Sequence, residues 1–125
     1  MAVTHPTAVR NAIADLVVDK LDVGSGTAEG RLVFQTSGGA AVATLAFANP
    51  AFGAASGGVA TANAITSDTN AAGGTTTKAE LRDRDATPIV LCEVSTSGSD
   101  INLSSVAIGA TDTVSVSSLT YTAPA

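Results

Sequence analysis

Few side chains in this sequence have the chemistry of a catalyst or a metal ligand. The chain contains one cysteine, Cys92, and one histidine, His5. Cys92 lies in a predicted strand, whereas His5 lies in a short N-terminal segment without periodicity. A nucleophilic cysteine or serine usually needs a histidine on an ordered element as its general base. The sequence therefore offers no catalytic pair, and Cys92 is predicted to be an inert core residue.

The charged residues and the glycines do not form a recognisable catalytic pattern either. The run RDRD at 82–85 contains two carboxylates, but it ends in a turn before Pro88, and a pair of acids at catalytic spacing is not established. Glycine-rich segments are frequent, yet none has the spacing of a dinucleotide or phosphate loop. No HExxH, GxSxG or CxxC motif is present. We predict that the protein is not an enzyme and has no cofactor, no metal and no small-molecule substrate.

Charge and hydropathy restrict the partners. The chain has 125 residues and a formal net charge of -5. An acidic chain does not attract phosphate groups, so we predict no nucleic-acid partner. No apolar run approaches the ~20 residues that span a bilayer, and the N-terminus lacks the features of a signal peptide. We therefore expect a protein that is made in the cytoplasm and has no membrane partner.

Composition favours a subunit of an assembly. Apolar residues make up 45% of the chain, whereas aromatic residues make up 3% and charged residues 14%. This composition predicts a core of small aliphatic side chains and a weakly charged surface, which suits a protein that completes its burial against other subunits. A single cysteine allows no internal disulfide, so oligomerisation is a remaining source of stability. An ordinary soluble β domain is the alternative.

One helix is predicted, at residues 7–21, with Thr7 as its N-cap and with Gly24 and Gly26 placed to end it. Its apolar residues recur at helical spacing and would form one stripe, whereas its polar residues fall mostly on the other side. The stripe consists of Val9, Ile13, Leu16, Val17 and Leu21. A helix of about fifteen residues is marginal alone in water, so the stripe must be covered by the protein's own sheet or by another subunit.

The rest of the chain predicts short strands separated by Gly, Ser and Asp turns. Residues 31–36 and 41–48 resemble a hairpin, and residues 88–95 are apolar enough for the centre of a sheet. Further strands are predicted at 59–65, 75–83, 101–103, 106–108 and 113–122. Because only one helix is available for crossovers, we predict a mainly β fold, an antiparallel β-sandwich or jelly-roll-like fold with one N-terminal amphipathic helix. Residues 1–6 would form an N-terminal arm, and residues 7–125 a single β-rich domain.

Three segments carry a resemblance to a protein family. They are TAVRNAIADLVVDKLDVG at 7–24, LAFANPAFGAASGGVATANAI at 45–65 and SGSDINLSSVAIGATDTVSVSSLTYT at 97–122. These segments resemble small virion structural proteins that tailed bacteriophages and prophages encode beside capsid and tail genes. The resemblance implies a β-rich virion component. More narrowly, it implies a capsid decoration (cement) protein on the outside of the shell, a class that commonly forms trimers.

The resemblance also implies partners and a location. We expect the protein to bind the major capsid protein and copies of itself, as a homotrimer on the capsid surface of the virion. The expected assembly contacts are Val3, His5 and Pro6 in the arm and Phe52 in the irregular centre. Two alternatives stay open: a tail or head-fibre component with a role in host adhesion, and a free-standing soluble β domain.

Overall fold

The protein is β-rich with one N-terminal helix, as the sequence predicts. The computed structural model describes residues 3–123. Helix α1 spans Thr7–Asp19 and continues as one 3-10 turn, Lys20–Asp22. The strands in the described residues are β1 (Arg31–Gln35), β2 (Ala41–Ala46), β3 (Val59–Thr61), β4 (Gly74–Thr75), β5 (Lys78–Arg82), β6 (Pro88–Ser95), β7 (Ile101–Asn102), β8 (Ala107–Ile108) and β9 (Thr120–Thr122).

The main sheet has five strands in the order β2-β1-β5-β6-β7, and β3-β9 and β4-β8 form two smaller pairs. The predicted hairpin of β1 and β2 is confirmed, with Arg31 opposite Ala46. All pairings between these strands are antiparallel except that of β6 with β7, which is parallel. The prediction of antiparallel pairing is therefore wrong at β7, and the sheet is mixed.

Strand β6 does not occupy the centre of the sheet, where the sequence placed it. The central strand is β5, and β7 pairs with β6 only at Val94 and Ser95. The side chains of β6 alternate: Val94 is buried in the core, whereas Leu91 is 73% exposed on the other face. The continuous apolar run therefore results from one buried face and one uncovered face, and the predicted position at the centre of the sheet was wrong.

Loops replace the longer strands predicted at 59–65 and 113–122. The outer edge of β2 is bound by residues 66–73 without a regular strand: the Thr44 N–H donates to the Asp68 carboxylate at 2.9 Å, and the Gly73 N–H donates to the Val42 carbonyl at 3.1 Å. Isolated hydrogen bonds, one of them to a side-chain carboxylate, therefore take the place of regular strand pairing along β2. They also protect this edge of the sheet from pairing with another strand.

The core is a single cluster between the main sheet, the helix and the central loops. It contains Leu32 and Phe34 from β1, Leu45 from β2 and Phe47 just after it, all at most 2% exposed. The other core residues are mostly alanine, valine and leucine, as the composition predicts. The helix packs mainly against β3 and also contacts β9, so it covers the small sheet.

The carboxylate of Asp85 ties the loop after the helix to the turn between β5 and β6. Its Oδ1 accepts hydrogen bonds from the N–H groups of Ser25 at 3.0 Å and Gly26 at 2.9 Å. These two hydrogen bonds lower the pKa of Asp85 below its ordinary value, and the bond from Ser25 has the larger effect. A carboxylate bonded by backbone donors is stabilised in its charged form.

The link made by Asp85 is expected to weaken in acid. Because its pKa is lower in the folded protein than in the unfolded chain, its contribution to stability is present above the unfolded pKa and is lost as the pH falls through the folded pKa. Replacing Asp85 with asparagine should lower the melting temperature at neutral pH, and the difference from the wild type should shrink in acid. Thermal unfolding followed by circular dichroism from about pH 7 to about pH 3 measures this. A difference that stays constant over this range would contradict the assignment.

Candidate functional site: an assembly surface

Helix α1 carries apolar side chains on two opposite faces. Its inner face buries Ala14 and Val18 in the core, and the 3-10 turn that follows buries Leu21. On its outer face Val9 is exposed, and Leu16 is 62% exposed. Val23, just beyond the helical turn, is also exposed. The outer face of the helix is therefore an apolar surface that the described residues of the chain leave uncovered.

The orientation of the helix corrects the predicted stripe. Val9 and Leu16, which were expected in the buried stripe, point away from the core, while Ile13 and Val17 lie half-buried at its border. Only Leu21 of the predicted set is fully buried. The protein therefore buries a different face of the helix from the predicted one. Leu21 of the predicted stripe is buried, whereas Val9 and Leu16 are left uncovered.

The polar residues of the helix fix this orientation. Asn11, Asp15 and Asp22 turn inward and accept hydrogen bonds from backbone N–H groups of residues 51–58, at 2.7, 2.8 and 2.9 Å respectively. Backbone N–H groups in a loop need acceptors, and hydrogen bonds to charged carboxylates are stronger than those to neutral groups. These side chains were predicted on the solvated side, and the structure places them against the central loop.

Arg10 adds a further contact of the helix with the rest of the chain. Its guanidinium group lies against Gly58, where a Cβ would come within 2.7 Å of Arg10 Cζ, and its Nη2 donates to the Ala123 carbonyl at 3.5 Å. The Arg10 Nε is buried without a hydrogen-bond partner in the described residues. Gly58 has a φ of +80°, a left-handed backbone conformation that favours glycine.

The N-terminal arm is exposed as far as the structure describes it. Val3 is 84% exposed, and His5 and Pro6 are also exposed. Pro6 rather than Thr7 is the N-cap, and its carbonyl accepts hydrogen bonds from the N–H groups of Val9 and Arg10, both at 3.0 Å. Met1 and Ala2, the first residues of the predicted arm, lie outside the described residues.

Phe52 does not belong to this surface. The side chain is only 4% exposed, and its ring centroid lies 5.8 Å from that of Phe47 with a tilt of 47° between the rings. Its backbone forms a bridge with Ala62. The expected assembly contact is therefore corrected: Phe52 anchors the irregular central segment in the core, where an aromatic side chain buries a large area.

Sequence analysis missed Leu91, the most exposed large apolar side chain of the main sheet. It lies on the open face of β6 opposite Glu80 of β5. The neighbouring Cys92 points to the other side and is half-buried. Burial, with a smaller effect of the Asp100 carboxylate, raises the pKa of the Cys92 thiol to about 11. A thiol with this pKa is protonated at neutral pH and is a poor nucleophile.

The described residues do not assemble a catalytic or metal site from the candidates that the sequence offered. His5 stands in the exposed arm, far along the chain from Cys92. Within residues 3–123, no group of three or more His, Cys, Asp or Glu side chains is placed to hold a metal ion. No helix in that range is both long enough and apolar enough to cross a membrane.

Comparison of the chain with models of known protein families, with characterised proteins and with solved structures finds no match. The surface and the residue pattern therefore carry the functional argument.

Proposed function

We propose that the protein is a virion structural protein that decorates the outside of a phage capsid and stabilises the shell. Besides the resemblance of the sequence, one structural observation supports the proposal. Four of the exposed large apolar side chains, Val3, Val9, Leu16 and Val23, lie within the first 23 residues, outside an otherwise closed core. A folded β domain with an uncovered apolar N-terminal segment is suited to binding other protein surfaces.

The arm and Leu91 are the proposed contacts with the major capsid protein. Val3, His5 and Pro6 are exposed and precede the helix, so they are free to lie on a neighbouring surface. Leu91 offers a second apolar contact on the open face of the sheet. The protein performs no reaction in this proposal; it is made in the host cytoplasm and is localised on the capsid surface.

The binding energy comes from buried area. Apolar surface contributes about 25 cal/mol per Å² removed from water, and a standard interface buries about 1,600 Å². On a symmetric shell the same contact repeats many times, so a weak single contact is strengthened by avidity. Contacts between copies of the protein would add to this effect, and the homotrimer that the resemblance implies stays a prediction.

The proposal is tested with purified protein and phage shells that lack it. We expect co-sedimentation with the shells and a higher resistance of the decorated shells to heat and osmotic shock. Val3→Glu and Leu91→Glu should each weaken binding strongly, because both place a charge in an apolar contact. Thr96→Glu, at an exposed loop position, is the matched control and should bind as the wild type does. Failure of the wild-type protein to bind any shell would overturn the proposal.

The alternative, a tail or head-fibre component with a role in host adhesion, has less support. Sugar-binding surfaces usually offer an exposed aromatic ring. Among residues 3–123 the three phenylalanines are buried and Tyr121 is half-buried. Binding to tails or fibres but not to shells, or specific retention on a glycan array, would favour this alternative over capsid decoration.

A further inference from the structure

The main sheet has an open face on the side away from the core, and this face contains a concavity of about 580 Å³. Gln35 of β1 lies opposite Lys78 of β5, which in turn lies opposite Glu93 of β6. Residues directly opposite each other on paired strands project to the same face of a sheet. We call this concavity the sheet-face pocket and define it by Gln35, Lys78, Glu80, Leu91, Glu93 and Asp100. Its volume lies within the range of about 300–1,000 Å³ that is usual for binding sites.

Gln35 places a buried amide group in the sheet-face pocket. The residue is only 5% exposed, although glutamine is mostly found at the surface. Its backbone carbonyl accepts hydrogen bonds from Thr76 Oγ1 at 3.1 Å and from the Thr77 N–H at 3.0 Å. Its side-chain amide, in contrast, takes part in none of the hydrogen bonds among residues 3–123. A buried amide normally has a hydrogen-bond partner, so this one calls for a group from outside the chain.

The free charges of the sheet-face pocket are mainly negative. Glu80 is paired with Arg82 at 2.7 Å, so it contributes little free charge. Glu93 and Asp100 are exposed, and Asp100 is held beside Glu93 because its Oδ2 accepts the Glu93 N–H at 2.9 Å. Lys78 forms no ion pair with either of them in the described part of the chain. Two free carboxylates thus face one ammonium group, and the pocket attracts a cation.

We propose that the sheet-face pocket binds an arginine side chain of a partner protein. A guanidinium group has five N–H donors and no acceptor, so it can donate to Gln35 Oε1 and to the carboxylates of Glu93 and Asp100 together. Its aliphatic stem would lie on Leu91, which is 73% exposed. A lysine ammonium group is compact and strongly hydrated, so it fits a pocket with an apolar wall and a planar amide less well.

This inference makes the Leu91 contact of the proposed function more specific, but it does not rest on capsid decoration. The experiments below use the free protein and a small probe in place of phage shells. A protein that binds no shell would overturn the proposed function and leave the arginine pocket standing. A protein that binds shells but not the probe would overturn the arginine pocket alone.

The first test is an NMR titration of the ¹⁵N-labelled protein with N-acetyl-arginine N-methylamide. The side-chain NH₂ signals of Gln35 report directly on the pocket. We expect them to shift saturably at low ionic strength, with a dissociation constant on the order of 1 mM for a probe of this size. N-acetyl-citrulline N-methylamide has a similar shape without the charge and should bind at least about 5-fold more weakly. No saturable shift with the arginine probe, or equal binding of the citrulline probe, would overturn the proposal.

The second test uses two exposed positions, at which substitutions should not disturb the fold. Glu93→Gln removes a carboxylate and should weaken binding of the arginine probe about 5-fold, whereas Lys78→Gln removes the opposing cation and should strengthen it about 2-fold. Asp19→Asn makes the same charge change as Glu93→Gln on the exposed side of α1, and it is the matched control that should leave the affinity unchanged. Equal effects of Glu93→Gln and Asp19→Asn, or weaker binding by Lys78→Gln, would overturn the proposal.

The third test is the buried amide itself. Gln35→Leu keeps a similar volume but has no acceptor for the guanidinium group, so it should weaken binding of the arginine probe about 10-fold. Circular dichroism shows whether this variant is folded. If it is folded and binds as the wild type does, the proposal is wrong; if it is unfolded, the opposite effects of Glu93→Gln and Lys78→Gln decide.

Discussion

Replacing Phe52 with alanine is expected to lower the free energy of unfolding by about 3–5 kcal/mol, the usual cost of removing a buried phenylalanine. The ring is 4% exposed and packs against Phe47. The core around it is made mainly of alanine, valine and leucine, so few large side chains can move in to fill the cavity. Since domains of this size are stable by only about 5–15 kcal/mol, the variant should be close to unfolding.

Urea denaturation followed by circular dichroism measures the effect. Phe52→Leu is the matched control, because it keeps most of the apolar volume and should cost clearly less. Val3→Ala removes a side chain that is 84% exposed and should change stability by no more than about 0.5 kcal/mol. If Phe52→Ala were as stable as Val3→Ala, the central segment would not be anchored in the core as described, and Phe52 would return as a candidate for the assembly surface.

The sequence predicted the elements that have strong local signals. Helical spacing at 7–21 and the β-forming residues on both sides of Ser37–Gly39 gave the helix and the first hairpin, close to the observed bounds. Both elements are held by contacts between near neighbours in the chain, so their pattern is visible without knowledge of the fold. The β-rich class followed in the same way from the number of short apolar segments.

The orientation of the helix could not be predicted, because the apolar spacing on α1 supports two opposite faces. The choice between them was made by Asn11, Asp15 and Asp22, which bind the N–H groups of a loop some 30–50 residues later. A polar residue normally indicates a solvated face, and nothing local shows that a distant loop needs acceptors. The outward position of Leu16 follows from these three hydrogen bonds.

Only the N-terminal arm of the candidate surface could be predicted from the sequence. The arm was expected to be exposed because it has no periodicity, and Val3, His5 and Pro6 are exposed. Leu91 was missed because its neighbours are also apolar, so the alternation of burial along β6 is hidden in the sequence. Phe52 was misassigned because glycine and alanine around it indicate a loop, whereas aromatic side chains in loops often serve as core anchors.

Gly30→Ala is expected to disturb the junction that holds the helix against the main sheet. A Cβ at this position would lie 2.6 Å from the Arg82 carbonyl oxygen and 2.8 Å from the Leu21 carbonyl oxygen, closer than side-chain carbons approach such atoms. Both oxygens belong to the backbone, one at the end of β5 and one at the end of the helix, so neither can swing away as a side chain could.

The added methyl group must therefore separate the end of the helix from the sheet or distort both. Overpacking usually lowers the free energy of unfolding by about 1–3 kcal/mol, and we expect a value in the upper part of this range. Gly38→Ala is the matched control, because its nearest neighbour would be Thr36 Oγ1 at 3.9 Å and its effect should stay within about 0.5 kcal/mol. Urea denaturation of both variants gives the comparison. Equal stabilities would mean that the end of the helix is not packed against the end of β5 as described.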